Sequence, residues 1–177
     1  MTRQEFPLAP LSRAPWLCLL LAAAGVLVAT WFLVADELRL PARALAPAAA
    51  ALLMLAPLLA LGRRRIWIDG RELVVAAAFY TRRVAVDALD LAQARVLDLA
   101  EHTGHAPMLG LNRLGLPGFR AGHYLLRNRQ RAFCLLTAFD RVLVLPQRDG
   151  KVLLLSPARP LDLLGHLREL ATPAAHR

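Results

Sequence analysis

The longest uncharged apolar run in the chain, residues 16–35, limits the possible folds more than any other feature. It reads WLCLLLAAAGVLVATWFLVA. As an α-helix rising about 1.5 Å per residue, it matches the roughly 30 Å hydrocarbon core of a bilayer. Trp16, Trp31 and Phe32 lie near its ends, where aromatic side chains prefer the membrane interface. The run predicts a transmembrane helix, with a cleaved signal peptide as the alternative.

A second uncharged run, residues 44–61, follows after a short polar connection at residues 36–43. It is shorter and rich in alanine, and Pro47 and Pro57 each remove a backbone donor and favour a kink. We interpret it as a second transmembrane helix and the connection as the turn of a helical hairpin. Two spans would leave both termini on one side of the membrane.

Basic residues flank the two runs unequally, and this bias predicts the orientation. Five lie outside the hairpin and two lie in its turn: Arg3, Arg13, Arg63, Arg64 and Arg65 against Arg39 and Arg43. The counts favour both termini in the cytoplasm of a bacterial inner-membrane protein, and the inverted orientation stays open. Near an anionic leaflet each juxtamembrane arginine gains about 1 kcal/mol, so Arg63, Arg64 and Arg65 are predicted to anchor the domain that follows.

Composition divides the chain at Gly62. The chain is 57% hydrophobic and 20% charged, and nearly all the charge follows that glycine. We therefore expect four parts: a cytoplasmic tail at 1–15, a membrane hairpin at 16–62, a β domain at 63–171 and a short tail at 172–177.

The β domain is predicted from short apolar runs separated by turn signals. Residues 66–68 and 72–78 flank Asp69-Gly70 and predict a hairpin. Further predicted strands lie at 83–86, 94–99, 119–126, 132–137, 141–145 and 152–155. Residues 102–118 lack periodicity and predict a long loop. An amphipathic helix is predicted at the end, with its apolar stripe formed by Leu161, Leu164, Leu167 and Leu170.

Two short motifs, GLPGFRAG at 115–122 and LLSP at 154–157, together with the strand order and the final leucine-rich helix, resemble the bacterial pleckstrin-homology-like (PH-like) domain family. The resemblance covers about residues 66–170. It implies a half-open barrel of about seven strands with a C-terminal capping helix, often preceded by membrane helices. The expected fold is therefore two transmembrane α-helices followed by a mainly β PH-like domain. Ser156 and Pro157 match a structural motif, in which the hydroxyl caps the following turn.

The residues predict no catalytic, cofactor or metal site. His102 and His105 are three apart, yet Glu101 is their single obvious acidic neighbour, which is too little for zinc. Neither Ser12 nor Ser156 has a nucleophile-elbow pattern. Cys134 lies in an apolar run and is interpreted as core.

The formal charge of +9 favours anionic partners. Basic residues recur in the β domain at Arg82, Arg83, Arg127, Arg129 and Arg131. The last three fall on a predicted turn, where they could meet lipid phosphates, an acidic protein partner or water. Nucleic acid is disfavoured, because helix-turn-helix patterns and stacking aromatics are missing.

The sequence thus predicts a noncatalytic, membrane-anchored interaction module on the cytoplasmic face. It would dock on anionic phospholipid head groups or hold a protein partner at the bilayer. The alternative is a structural subunit of a membrane complex, with contacts made through the small residues at 22–25 and 48–51.

Overall fold

A computed structural model of the 177-residue chain describes residues 3–34 and 40–172, with side chains placed for 4–32 and 48–172. These residues form three α-helices: α1 Ala14–Val34, α2 Leu40–Gly62 and α3 Pro160–Ala171. They also form ten strands: β1 Arg3–Phe6, β2 Arg64–Asp69, β3 Glu72–Ala77, β4 Tyr80–Ala85, β5 Arg95–Leu97, β6 Pro107–Leu116, β7 Phe119–Leu126, β8 Arg131–Leu136, β9 Val142–Pro146 and β10 Val152–Leu155.

Helix α1 contains the single stretch of the described chain that is long and apolar enough to cross a membrane, Ala14–Phe32. Only 11% of the most apolar part of this stretch is buried inside the protein, so α1 is not a core helix. Helix α2 packs against α1, and its described apolar part, Ala48–Gly62, is shorter than a span requires.

The prediction of two transmembrane helices is therefore wrong, and with it the assignment as a multi-pass inner-membrane protein with both termini cytoplasmic. The predicted second span included residues 44–47, whose side chains lie outside the described residues. Ala35 at the end of the first span and residues 36–39 of the predicted turn lie outside them as well, and α2 already begins at Leu40.

The first sheet has the order β1-β2-β3-β4 and is antiparallel throughout. The predicted hairpin around Asp69 is confirmed, and Gly70 has the positive φ of 61° that its tight turn requires. Strand β1 lies within the stretch expected to be a tail, and it pairs with β2 through Phe6 opposite Ile66. The helices α1 and α2 therefore interrupt a sheet whose first strand precedes them.

The second sheet has the order β5-β9-β10-β8-β7-β6. Strand β10 inserts between β9 and β8 and runs parallel to β8, whereas the other pairs are antiparallel. The predicted strands in this part of the chain are confirmed within a residue or two, except that β5 is shorter than predicted. The central strands are buried on both faces, which explains their continuous apolar runs.

Strand β6 contradicts the predicted loop at 102–118. Its pairing with β7 shifts register between Pro107 and Leu109 and again between Gly110 and Asn112. These irregularities, with Gly110 and Gly115, destroy the alternating pattern by which a strand is recognised. The structure therefore has sheets of four and six strands, and the predicted seven-stranded half-open barrel is wrong.

The main core lies between the two sheets and is closed by α3. Leu164 and Leu167 of the predicted stripe are buried in this core and Leu170 packs against it, whereas Leu161 is exposed and Leu163 is buried instead. The Ser156 hydroxyl does not cap the helix, because it is fully buried and accepts a hydrogen bond from Thr137 N at 2.7 Å. A second apolar cluster covers the opposite face of the six-stranded sheet.

The segment between β1 and α1 is held against the ends of β8 and β10. Ala9 N donates to Ser156 O at 3.0 Å, and Ala158 N donates to Pro7 O at 2.8 Å. The Thr137 hydroxyl donates to Ala9 O at 2.8 Å. Since α1 follows directly, these contacts mark one end of the sheets, which we call the helix-proximal end.

Candidate anion-binding sites

The distance of each basic residue from the helices follows from the strand or turn that carries it. At the helix-proximal end, a Cβ on Gly118 would lie 2.7 Å from the Ser12 hydroxyl, which places the β6–β7 turn beside the start of α1. Strand β7 then runs away from the helices for eight residues. At about 3.3 Å per residue, the β7–β8 turn lies about 25 Å farther along the sheet.

The base cavity, a recess of about 430 Å³, lies where α2 meets β2. Its lining includes Leu59, Gly62, Arg63, Arg65 and Trp67. The Arg63 guanidinium donates to the Thr81 hydroxyl at 3.1 Å, and that of Arg65 lies 4.0 Å from a Glu5 carboxylate oxygen. Both arginines are exposed, so the cavity presents two cations to an arriving ligand.

Arg64 differs from its two neighbours. Alternation along β2 places it on the inward face with Ile66 and Ile68, and its side chain is half-buried. Burial lowers the pKa of its guanidinium. Arg64 does not line the base cavity, so the structure divides the predicted anchoring triplet into two surface arginines and one inward arginine.

The basic groove, a cavity of about 270 Å³, opens between the two sheets. Its polar lining comprises Arg82, Asn112, His123, Arg131, Gln147 and Lys151. Arg131 and Lys151 directly precede Ala132 and Val152, which pair in parallel register, so both cations lie at the end of the sheet away from the helices. Arg82 comes from β4 of the other sheet.

The groove carries a net positive charge even when the nearest carboxylate is counted. No acidic side chain lines it, although the Lys151 ammonium forms an ion pair with Asp149 at 2.5 Å. That hydrogen bond is the main cause of the lowered pKa of the Asp149 carboxyl, with Arg82 adding to it. Three cations and one carboxylate leave the site with two net positive charges.

Aromatic contacts hold one wall of the groove. The His123 ring lies 5.1 Å from the Phe133 ring and 6.0 Å from the Tyr80 ring. The Tyr80 hydroxyl donates to the Asn112 side-chain oxygen, which orients that amide. Burial, and then the charge of Arg82, lower the pKa of His123.

We expect the protein to lose stability as the pH falls below about 6.5, the ordinary pKa of histidine. The folded state lowers the pKa of His123, so in that range the unfolded chain binds more protons. Thermal unfolding between pH 7.5 and 5 tests this. His123→Phe should flatten the dependence, whereas His102→Asn, at an exposed position, should leave it unchanged. Equal slopes in wild type and His123→Phe would contradict the assignment.

The predicted Arg127, Arg129 and Arg131 cluster is not one site. Arg127 and Arg129 are exposed at the tip of the β7–β8 turn, and Arg129 has a positive φ of 65°. The turn is held by its backbone, since Arg127 N donates to Ala106 O at 3.2 Å. Of the three arginines, only Arg131 lines the basic groove. Its partners Asn112, Gln147 and Lys151 were missed, because they are distant in sequence and show no local motif.

The other chemically interesting residues lie elsewhere. Cys134 is buried in the second apolar cluster, as predicted, and burial raises the pKa of its thiol. The His105 imidazole lies 3.3 Å from the Arg95 guanidinium, and burial and that charge lower its pKa. Across the described ranges no three His, Cys, Asp or Glu residues are grouped so as to hold a metal ion.

Comparison of the chain with protein-family models, with curated proteins and with solved structures finds no match. The resemblance to the PH-like family therefore stays a prediction. What the structure defines is a two-sheet β protein with an apolar helical pair and two basic cavities.

Proposed function

We propose that this chain is a membrane-attached, noncatalytic interaction module whose base cavity binds the anionic head group of a bilayer lipid. The observation that carries the proposal is the position of Arg63, Arg65 and Trp67. They line one cavity with Leu59, at the point where the apolar helix α2 ends. A phospholipid placed there would have its phosphate at the arginines and its acyl chains along the helices.

The outer surface of α1 supports attachment to a membrane. Its exposed large apolar side chains are Trp16, Leu17, Leu20, Leu21, Val26, Val28, Trp31 and Phe32. A soluble protein rarely exposes such a continuous apolar surface, because its contact with water is unfavourable. A bilayer removes this surface from water.

Strand β1 supports the retention of α1. A cleaved signal sequence is also a long apolar helix near an N-terminus, so length and hydropathy alone do not distinguish it from α1. Cleavage after α1 would however remove β1, which pairs with β2. It would also remove Pro7 and Ala9, which form hydrogen bonds with Ala158 and Ser156 just after β10. The four-stranded sheet would then lose an edge strand and uncover part of its core.

The chemistry of the base cavity suits a phosphate group. A guanidinium can donate two parallel hydrogen bonds to phosphate oxygens, and two arginines can share one phosphate. Trp67 offers an indole of the kind enriched at the membrane interface. Leu59 is 66% exposed and continues the apolar surface toward the helices.

Arg127 and Arg129 are poor candidates for contact with the same bilayer. They lie about 25 Å of strand length from the helix-proximal end, given about 3.3 Å per residue of β7. Attraction to an anionic surface falls off within about 10 Å at physiological salt. We therefore assign lipid contact to Arg63 and Arg65.

Replacing Arg63 and Arg65 together with glutamine is expected to weaken binding of phosphatidylglycerol by about tenfold or more, since each arginine contributes about 1 kcal/mol. Binding of phosphatidylcholine should hardly change. Native mass spectrometry of the full-length protein titrated with either lipid in detergent measures both affinities.

The matched control is Arg127→Gln with Arg129→Gln, which removes the same charge from the far end and should leave lipid affinity unchanged. A wild-type protein without preference for phosphatidylglycerol would overturn the proposal, as would equal losses in the two double variants. Thermal unfolding of each variant checks that its fold is intact.

The structural-subunit alternative also has an observation in its favour. Ala22, Ala24 and Gly25 of α1 are exposed, and a Cβ on Gly25 would meet no atom within 4 Å. This surface is open to close packing by a helix of another protein. Gly25→Leu would disturb such a complex and leave the lipid affinities unaltered.

A further inference from the structure

We propose that the basic groove between the two sheets binds a phosphomonoester carried by a small, partly apolar, water-soluble molecule. The inference rests on the geometry and charge of the groove and not on the proposed lipid site. The two sites share no residue. Within β4, Arg82 lines the groove whereas its neighbour Thr81 contacts Arg63 of the base cavity, because successive side chains of a strand point to opposite faces.

The convergence of cations from three separate parts of the chain is the first support. Arg82 comes from the four-stranded sheet, whereas Arg131 begins β8 and Lys151 directly precedes β10, the strand parallel to it in the six-stranded sheet. Three like charges around one cavity repel each other, and a bound anion would relieve that repulsion. Amide groups of Asn112 and Gln147 add donors between them.

The charge of the groove favours a dianion. Lys151 is already paired with Asp149, so the site keeps two net positive charges. A phosphomonoester carries about −1.5 to −2 at pH 7, because its second pKa is about 6. A carboxylate or a phosphodiester brings one negative charge and would leave the groove unbalanced.

The size and the remaining wall of the groove define the rest of the ligand. About 270 Å³ is at the lower limit of small-molecule sites, so the ligand must be compact. Leu111 and Phe133 line the cavity beside the polar groups and can receive an apolar ring or short chain.

The position of the groove favours a ligand from the aqueous phase. Arg131 and Lys151 lie at the end of the sheet away from α1, so the head groups around the helices do not reach them. A phosphomonoester lipid, such as phosphatidic acid, is the other source of the same group, and the experiment separates the two.

The test is calorimetric titration of the full-length protein, in phosphatidylcholine nanodiscs, with phenyl phosphate and with phenyl sulfate as its singly charged isostere. We expect phenyl phosphate to bind and phenyl sulfate to bind at least tenfold more weakly. Arg82→Gln and Lys151→Gln should each weaken phenyl phosphate binding about tenfold, the usual order for a charged hydrogen bond. Arg127→Gln, from the exposed turn, is the matched control and should bind as wild type does.

Equal affinity for the two probes, no binding of phenyl phosphate, or an equal loss in Arg127→Gln would overturn the proposal. Arg131→Gln, at an exposed position, repeats the test if Arg82→Gln unfolds. A second titration uses nanodiscs containing phosphatidic acid or charge-matched phosphatidylglycerol. Equal binding in both supports an aqueous ligand, whereas competition by phosphatidic acid alone would overturn it. The Arg63 and Arg65 double variant should bind phenyl phosphate as the wild type does, even when its preference for phosphatidylglycerol is lost.

Discussion

Gly122→Ala is expected to destabilise the protein by about 3 kcal/mol or more, the largest effect of any single methyl group added to this chain. Gly122 has a φ of +109°, a conformation that side chains rarely adopt. A Cβ there would lie 2.5 Å from the backbone oxygen of Asn112 and 3.0 Å from Cα of Arg113. Both obstacles are backbone atoms of β6, so the strand itself would have to move.

Substitutions at two other glycines separate the cost of the positive φ from the cost of the clash with β6. In Gly70→Ala only the positive φ is unfavourable, because nothing lies within 4 Å of the added Cβ. This substitution should lower the free energy of unfolding by about 1 kcal/mol. Gly165→Ala, on the exposed side of α3, should stabilise the protein by up to about 1 kcal/mol. Chemical denaturation in detergent, followed by circular dichroism, measures all three. If Gly122→Ala cost no more than Gly70→Ala, the close approach of β6 and β7 would be wrong.

Leu154→Ala is expected to cost about 2–5 kcal/mol, as much as Leu153→Ala at the neighbouring position. Both leucines are fully buried in β10, the strand inserted between β8 and β9. Successive side chains of a strand point to opposite faces. Leu153 therefore packs between the two sheets, whereas Leu154 packs in the second cluster with Leu99 and Leu126.

The comparison decides between the observed fold and the half-open barrel that the sequence predicted. In a barrel with one solvated face, one of these two leucines would lie near water and its truncation would cost little. Leu111→Ala, on the exposed edge strand β6, is the control and should change stability by less than about 0.5 kcal/mol. A cost below about 1 kcal/mol for Leu154→Ala would contradict the burial of both faces. Unfolding monitored as for the glycine variants supplies these values.

The apolar α1, the hairpin around Asp69-Gly70 and most strands of the six-stranded sheet could be predicted from the sequence. Each depends on neighbouring residues, through the length of an apolar run, a turn glycine or a run of strand length. Strands β1 and β6 could not be predicted in this way. Residues 3–6 are three consecutive polar residues followed by Phe6, with neither alternation nor a turn signal, and β6 is interrupted by glycines and two register shifts.

The candidate sites were likewise predicted only in those features that depend on neighbouring residues. The sequence by itself determined that the chain is basic, that an apolar run long enough for a membrane lies near its N-terminus, and that Arg63 to Arg65 follow the apolar part. The tertiary structure decided that Arg64 points inward, that Arg127 and Arg129 lie apart from Arg131, and that Arg82 and Lys151 join Arg131 in one groove. The physical reason is that sheet order and the parallel pairing of β8 with β10 bring these cations together, and such long-range pairings leave no pattern in any short stretch of sequence.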